Sequence, residues 1–340
     1  MMQQRIEWID IAKGLGMLLV IAGHTVSLRY SYPLYAFHMP LFFFLSGLVF
    51  KDKNEGFWTF VKSRTNTLIK PWAVMLFISF MVCLAIPEWR EQLALKPIIA
   101  DFYTANTNTL QNSSLWYLVC FYFVLILFYF LNKVRRTHTI VCLFALLAIA
   151  ILWIKNGLNI LPLPYHRLPF KVDSSLVAIV FFAVAFWNKD LIFNFIAKNA
   201  KMLFIVLFVL FTIALCVANK WSNINSLDFG RIKLLYYPIA LLGICTICLI
   251  SQWLTSSNLL KVKEFLVFYG KNSLLIFGFQ SLFIRLYLLF FNNVQGLNME
   301  LYGDNPWIHQ IGSFVVVSFI ISPLVVYIFL TLRKQNINVL

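Results

Sequence analysis

Within residues 5 to 24, RIEWIDIAKGLGMLLVIAGH, the polar residues Asp10, Lys13 and His24 punctuate a largely apolar run. Ten residues separate Lys13 from His24. On a helix the step from one to the other is about 16 Å of rise, roughly half a bilayer's hydrocarbon thickness. His24 is thereby expected inside the apolar layer, where an ionisable side chain is costly and marks function by default. An imidazole that titrates near neutrality suits proton transfer. The same residue also suits a plainer part, a helix-end histidine hydrogen-bonded at the interface. Asp10 precedes Lys13 by three residues and so shares its helix face. It is expected to orient or balance charge, not to move a proton.

A second histidine, His38, opens the stretch FHMPLFFFLSGLVF, which also holds Pro40, Ser46 and Gly47. Pro40 removes a backbone donor and suggests a broken helix, while Ser46 and Gly47 permit close helix packing. Two histidines converging at one depth would serve proton transfer. The following loop, KDKNEGFWTFVKSRTNTLIKPW, gathers Lys51, Lys53, Lys62, Arg64 and Lys70 ahead of Pro71. Such a cluster suits a ligand carrying several phosphates. It is also what positive-inside anchoring places in any basic loop on one face of a membrane. Arg285 lies within an apolar run, where an arginine either faces a polar cavity or snorkels to the surface. Trp116, Tyr117, Arg167, Asp173, Asp228 and Arg231 are candidate ligand contacts on the other face, although aromatic rings there equally suit an interfacial belt. Cys245 and Cys248 have CxxC spacing without a second cysteine pair or nearby histidine, so no metal site is expected.

The elements that must position these residues follow from composition. The chain has 340 residues, 61% hydrophobic and 12% charged, with 35 Phe. An average soluble domain carries about 25% charged residues, so an ordinary soluble globule is excluded. The apolar residues fall in long blocks that read as about ten transmembrane helices, at 14–28, 33–50, 71–87, 114–131, 139–154, 174–187, 202–218, 234–251, 273–291 and 308–331. Glu7 and Asp10 interrupt the basic region that a cleavable leader needs, so the first block is expected to stay as a helix. With the N-terminus inside, Lys and Arg are about twice as frequent in inner as in outer segments, which puts both termini in the cytoplasm. Most of the net charge of +15 then reflects orientation and attraction to anionic membrane lipid, with no nucleic-acid partner. The fold class is all-α, a polytopic membrane protein. No repeat or soluble segment divides it, so residues 1–340 are expected to form one integral-membrane domain.

The order D-x-x-K-G, ten residues to His24, FHMPLFFFLSG, and Arg64 to Pro71 resembles the integral-membrane acyltransferase family 3. SLWYL at residues 114–118 and YGKNSLLIF at residues 269–277 resemble two further segments of that family. The FHMPLFFFLSG wording is closest to its fucose-O-acetylase-like branch of bacterial O-acetyltransferases. Three positions depart from the family pattern: Lys13 stands for an arginine, Thr67 and Lys70 stand where a second arginine often lies, and Gln280 stands for a histidine. The resemblance implies a bacterial inner-membrane enzyme with acetyl-CoA, or another acyl-CoA, as cytoplasmic donor. The acceptor would be a hydroxyl of a surface glycan or its lipid-linked sugar precursor. His24 would be the base or transient acyl carrier, assisted by Asp10 and His38. Lys13, Lys62, Arg64 and Lys70 would meet the donor, and Trp116, Tyr117, Arg167 and Arg285 the acceptor. A transporter or flippase for a lipid-linked sugar, or a non-catalytic membrane scaffold, would share the apolar bulk and basic loops. A flippase needs neither the Asp10, Lys13 and His24 set nor the basic loop ending at Pro71 at this spacing.

Overall fold

The computed structural model describes residues 6–133, 140, 166–199, 203–218, 221–301 and 303–334. Apart from residue 140, the span expected over 139–154 lies outside these residues. The described chain is helical, with β pairing only at one bridge between Asn223 and Asp228. In chain order the main helices are α1 (Glu7–Thr25), α2 (Leu28–Tyr35), α3 (His38–Val49), α4 (Phe57–Ala85), α5 (Leu95–Thr104), α6 (Ser113–Leu131) and α7 (Pro169–Trp187). There follow α8 (Lys189–Asn199), α9 (Leu203–Ala218), α10 (Lys233–Thr255), α11 (Leu260–Lys271), α12 (Ser273–Gln295) and α13 (Trp307–Leu332).

Seven elements among the described residues are long and apolar enough to cross a membrane: the α2–α3 unit, α4, α6, α7, α10, α12 and α13. This is fewer than the ten read from the sequence. Besides the span that is not described, α9 contributes only a shorter apolar helix, Ile205–Leu215. Helix α1 is not among the seven, because Asp10, Lys13 and His24 dilute its apolar content. Lipid-facing surface is concentrated on α4 and α13, whose most apolar windows are 28% and 22% buried, against 72% for the α2–α3 unit. Phe77, Leu324 and Tyr327 are exposed there. Lipid tails solvate such side chains as well as a protein interior does, so their exposure carries no penalty in a bilayer.

Helix α1 is wrapped by α2, α3, α10, α11, α12 and the start of α13. Its contact with α11 is a backbone contact made possible by glycine on both sides. A Cβ added at Gly14 would strike the Leu266 carbonyl, and one added at Gly270 would strike the Asp10 carbonyl. Small residues at such crossings let two helix axes approach and gain dispersion along their length. On the opposite side α3 lies equally close to α7, where a Cβ at Gly47 would meet the Phe182 carbonyl. Gly47 is thus a packing residue, as its type suggests.

The crossing of α1 and α11 gives the first prediction. Gly270→Ala forces α11 off α1 and should lower stability by about 1–3 kcal/mol, the usual cost of overpacking. Gly56→Ala, with nothing within 4 Å of the added methyl, should leave the thermal midpoint of the detergent-solubilised protein unchanged. Equal midpoints for the two variants would show that the crossing is not tight.

Candidate functional site

Two breaks in the first fifty residues bring the two histidines together. Helix α1 ends at Thr25, with Val26 extended and Ser27 capping α2: the Ser27 hydroxyl accepts from the Arg29 amide at 3.3 Å. Ser27 is also pinned from α13, its amide donating to Gln310 Oε1 at 3.0 Å, and its hydroxyl donates to the Asp304 carboxylate. The short α2 then turns the chain back, and Phe37 leaves helical geometry with φ −138° before α3 starts at His38. Pro40 therefore lies in the first turn of α3, where a missing N–H is harmless, and the break comes before it. His24 stands in the last turn of α1 and His38 in the first turn of α3.

Both histidines line one cavity of about 230 Å³, together with Tyr35, Asn108, Ser113, Ser114, Trp116, Trp221, Asn223, Asn225 and Phe277 among others. The His38 Nδ1 sits 2.5 Å from the Leu34 carbonyl oxygen. A carbonyl only accepts, so Nδ1 carries the proton and the neutral ring keeps its lone pair on Nε2. Tyr35 donates its hydroxyl to the Gly23 carbonyl at 2.8 Å, beside His24. Its ring meets His38 edge-on at 4.9 Å and Trp221 at 5.0 Å. The imidazole of His38 is thus fixed by a hydrogen bond and an aromatic wall, which is what a proton-transfer group requires.

A second cavity of about 130 Å³ lies towards the other end of α1, lined by Lys13, Met17, Phe42, Ser46, Leu68, Tyr117, Phe121, Ser273 and Phe277 among others. Lys13 and Met17 are one helical turn apart and face it together. Phe277 lines both cavities. The lysine cavity and the histidine cavity are therefore neighbours along α1, with an aromatic side chain between them.

A buried polar layer holds this junction. Asn112 donates to Ser79 Oγ at 3.0 Å and to the Gly278 carbonyl at 2.7 Å. Gln280 donates to Ser114 Oγ at 2.6 Å, and the Ser113 and Ser281 hydroxyls are 3.0 Å apart. Asn112, Ser79 and Gln280 are fully buried. Side-chain hydrogen bonds of this kind tie α4, the start of α6 and α12 where apolar packing alone would let them slide. Gln280 thus adjoins the histidine cavity through Ser114, which lines it.

The remaining expected site residues are distributed differently. Trp116 lines the histidine cavity, whereas Tyr117, one residue and about 100° further round the helix, lines the lysine cavity. Asp10 is buried at the α1–α11 crossing and lines neither. Lys62 and Lys70 are exposed on α4. The Arg64 guanidinium lies over the rings of Phe50 and Phe60, at 5.5 and 4.8 Å, so cation–π packing engages it outside the lysine cavity. Arg285 lines a separate groove of about 470 Å³ with Glu88, Gln92, Gln111, Asn292 and Glu300, within electrostatic range of His24. Asp228 closes a backbone bridge to Asn223, and Arg231 is exposed.

Arg167 reaches Asp173 through two bonds, Nε to Oδ2 at 2.5 Å and Nη2 to Oδ1 at 3.0 Å. Both its terminal nitrogens also donate to the Asn225 carbonyl at 3.0 Å. Lys171, buried with its backbone in the left-handed region at φ 60°, approaches the same carbonyl at 3.5 Å. These cations therefore hold the segment that carries Asn223 and Asn225, which line the histidine cavity. Sequence reasoning did not single out Asn108, Trp221, Asn223, Asn225 or Phe277. The amide-rich WSNINS stretch was the available signal, but nothing in its spacing says that it folds over His24. Among the described residues no group of three or more His, Cys, Asp or Glu is placed to hold a metal.

Comparison with known proteins gives one match: the family profile described as an acyltransferase domain, of the type-3 acyltransferases, covers residues 6–327. No curated protein and no solved structure matches the chain.

The Arg167–Asp173 pair gives the second prediction. Asp173 is 1% exposed, so Arg167→Ala strands a buried carboxylate and should cost about 3–5 kcal/mol. The double change Arg167→Met with Asp173→Leu should recover much of it, as read by thermal unfolding. An Arg167→Ala midpoint equal to that of the unaltered protein would show that the pair does not hold the loop.

Proposed function

The chain belongs to acyltransferase family 3, and on that premise we propose that it carries an acyl group from an acyl-coenzyme A on the cytoplasmic side to a sugar hydroxyl on the outer side. Acetyl is the donor group best suited to the site. The acceptor is a surface glycan or its lipid-linked precursor, and the setting is a bacterial inner membrane with both termini inside and the whole chain as one domain. The observation that carries this reading is the pair of adjacent cavities along α1, one lined by Lys13 and the other by His24 and His38, with Phe277 common to both. A coenzyme A thioester is long and thin, with its phosphates at one end and its reactive carbonyl at the other. That shape suits a cation at one cavity and imidazoles at the next.

Lys13 meets the donor arm as it enters, and the exposed Lys62 and Lys70 offer point charges to the phosphates outside the apolar layer. The acceptor lies in the histidine cavity against Trp116 and Trp221, with Asn108, Asn223 and Asn225 to meet its hydroxyls. Flat aromatic faces and amides are well matched to a sugar ring's apolar face and polar rim. Arg285 adds positive potential near the developing negative charge on the carbonyl oxygen.

In the reaction an imidazole nitrogen of His24 takes the proton of the acceptor hydroxyl as its oxygen attacks the thioester carbonyl. The carbon–oxygen bond forms, the carbon–sulfur bond breaks, and the sulfur leaves with the proton returned by the imidazolium. His38, fixed through Nδ1, presents Nε2 to the same cavity and supports the proton transfer. In the variant in which His24 itself carries the acyl group, one equivalent of coenzyme A is released before acceptor is added.

Release of free coenzyme A from acetyl-coenzyme A, followed with purified protein and a glycan acceptor, tests the assignment. His24→Ala should slow transfer by about a hundredfold or more, the range of a lost general base, with thermal stability retained. Transfer at the unaltered rate would end the catalytic role of His24. Lys13→Met should raise the donor KM with kcat little changed, because it removes binding common to ground and transition states. An unchanged KM would move the donor site away from Lys13.

A further inference from the structure

We propose that Phe277, held against Tyr117, sets the size of acyl group that the protein transfers, restricting it to acetyl and other short acyl groups; this rests on the acyl-coenzyme A reading above. Phe277 is 5% exposed, and its ring is the common wall of the lysine and histidine cavities. Tyr117 meets it edge-on with ring centroids 5.2 Å apart. Behind Tyr117 stand Phe43 at 4.9 Å and Phe121 stacked at 5.7 Å, with Phe42 at 6.2 Å. Phe42, Tyr117 and Phe121 line the lysine cavity with Phe277 and back its ring, and edge-to-face pairs of this kind favour a fixed arrangement over a fluid one.

The backbone beneath Phe277 cannot yield. The next residue, Gly278, gives its carbonyl to the buried Asn112 amide at 2.7 Å. The space on the side where Gly278 lacks a side chain is filled by the Met75 sulfur. A passing acyl chain must therefore displace the Phe277 ring by rotation, since the wall cannot shift as a whole. Carbons beyond the thioester carbonyl travel ahead of it. They have to clear this ring before they reach the histidine cavity. Each added methylene is thus disfavoured at the ring.

The test measures kcat/KM for acetyl-, butyryl- and hexanoyl-coenzyme A with the full-length protein, by release of free coenzyme A in the presence of a glycan acceptor. Phe277→Ala should raise the butyryl-to-acetyl ratio by about tenfold or more, the usual scale of discrimination by a few methylenes, and Phe277→Leu should raise it by less. Phe283→Ala, on the same helix but lining neither cavity, should leave the ratio as it was. Phe277→Leu keeps most of the buried apolar contact, so it decides the matter where Phe277→Ala fails to fold. Variants that fold and use acetyl-coenzyme A with an unchanged ratio would overturn the role of Phe277 while leaving the acyltransferase reading intact. Failure of the unaltered protein to release coenzyme A from any donor would instead overturn that reading, and this inference with it.

Discussion

The structure turns on one constraint: a helix bearing Asp10, Lys13 and His24 has to be shielded from hydrocarbon. Ionisable groups in lipid are costly, and the cost falls only when other protein segments or a polar cavity surround them. Helix α1 meets this requirement by taking the interior position, with its backbone touching α11 at Gly14 and Gly270 and with α2, α3, α10 and α12 around it. The lipid-facing work passes to α4 and α13, whose exposed Phe, Leu and Tyr side chains suit a bilayer. A helix that carries three ionisable side chains thus organises the more apolar ones around it.

From that central helix the site follows by short steps. The breaks at Ser27 and Phe37 fold the chain back so that His38 comes to the depth of His24. The buried amides and hydroxyls of Asn112, Ser114 and Gln280 tie α6 to α12 beside them. Arg167 and Lys171 hold the segment that carries Asn223 and Asn225 from a third direction. None of these polar groups need act on a substrate to matter. They fix the walls of two small cavities, and in an acyltransferase the geometry between donor carbonyl and acceptor hydroxyl supplies much of the rate.

Much of the site along α1 was legible in the sequence, because helical rise is fixed and the spacing of Lys13 and His24 translates directly into depth. His38 was read to a similar depth from its place in the chain, whereas Trp116 was named only as a candidate on the other face, where an interfacial belt suits an aromatic ring equally. Arg64, Arg167 and Tyr117 were harder, since their types suit both binding and packing. Arg64 is engaged by Phe50 and Phe60, Arg167 by Asp173 and the Asn225 carbonyl, and Tyr117 faces the lysine cavity. Each outcome depends on a partner far away in the chain, or on the rotation of a helix about its axis, which hydrophobic blocks without clear periodicity leave open.

By itself the sequence determined that this is a helical membrane protein, and the order of its motifs resembled acyltransferase family 3. Composition suffices for the first, because the bilayer's preference for apolar surface acts on each segment locally, and the motif order carries the second. The tertiary structure alone decided that Phe277 lines both the lysine and the histidine cavity, that Asn223 and Asn225 line the cavity that His24 lines, and that Gln280 hydrogen-bonds to Ser114. Those positions are set by side chains from distant helices competing for the same small volume, and close packing in three dimensions is information that no linear spacing contains.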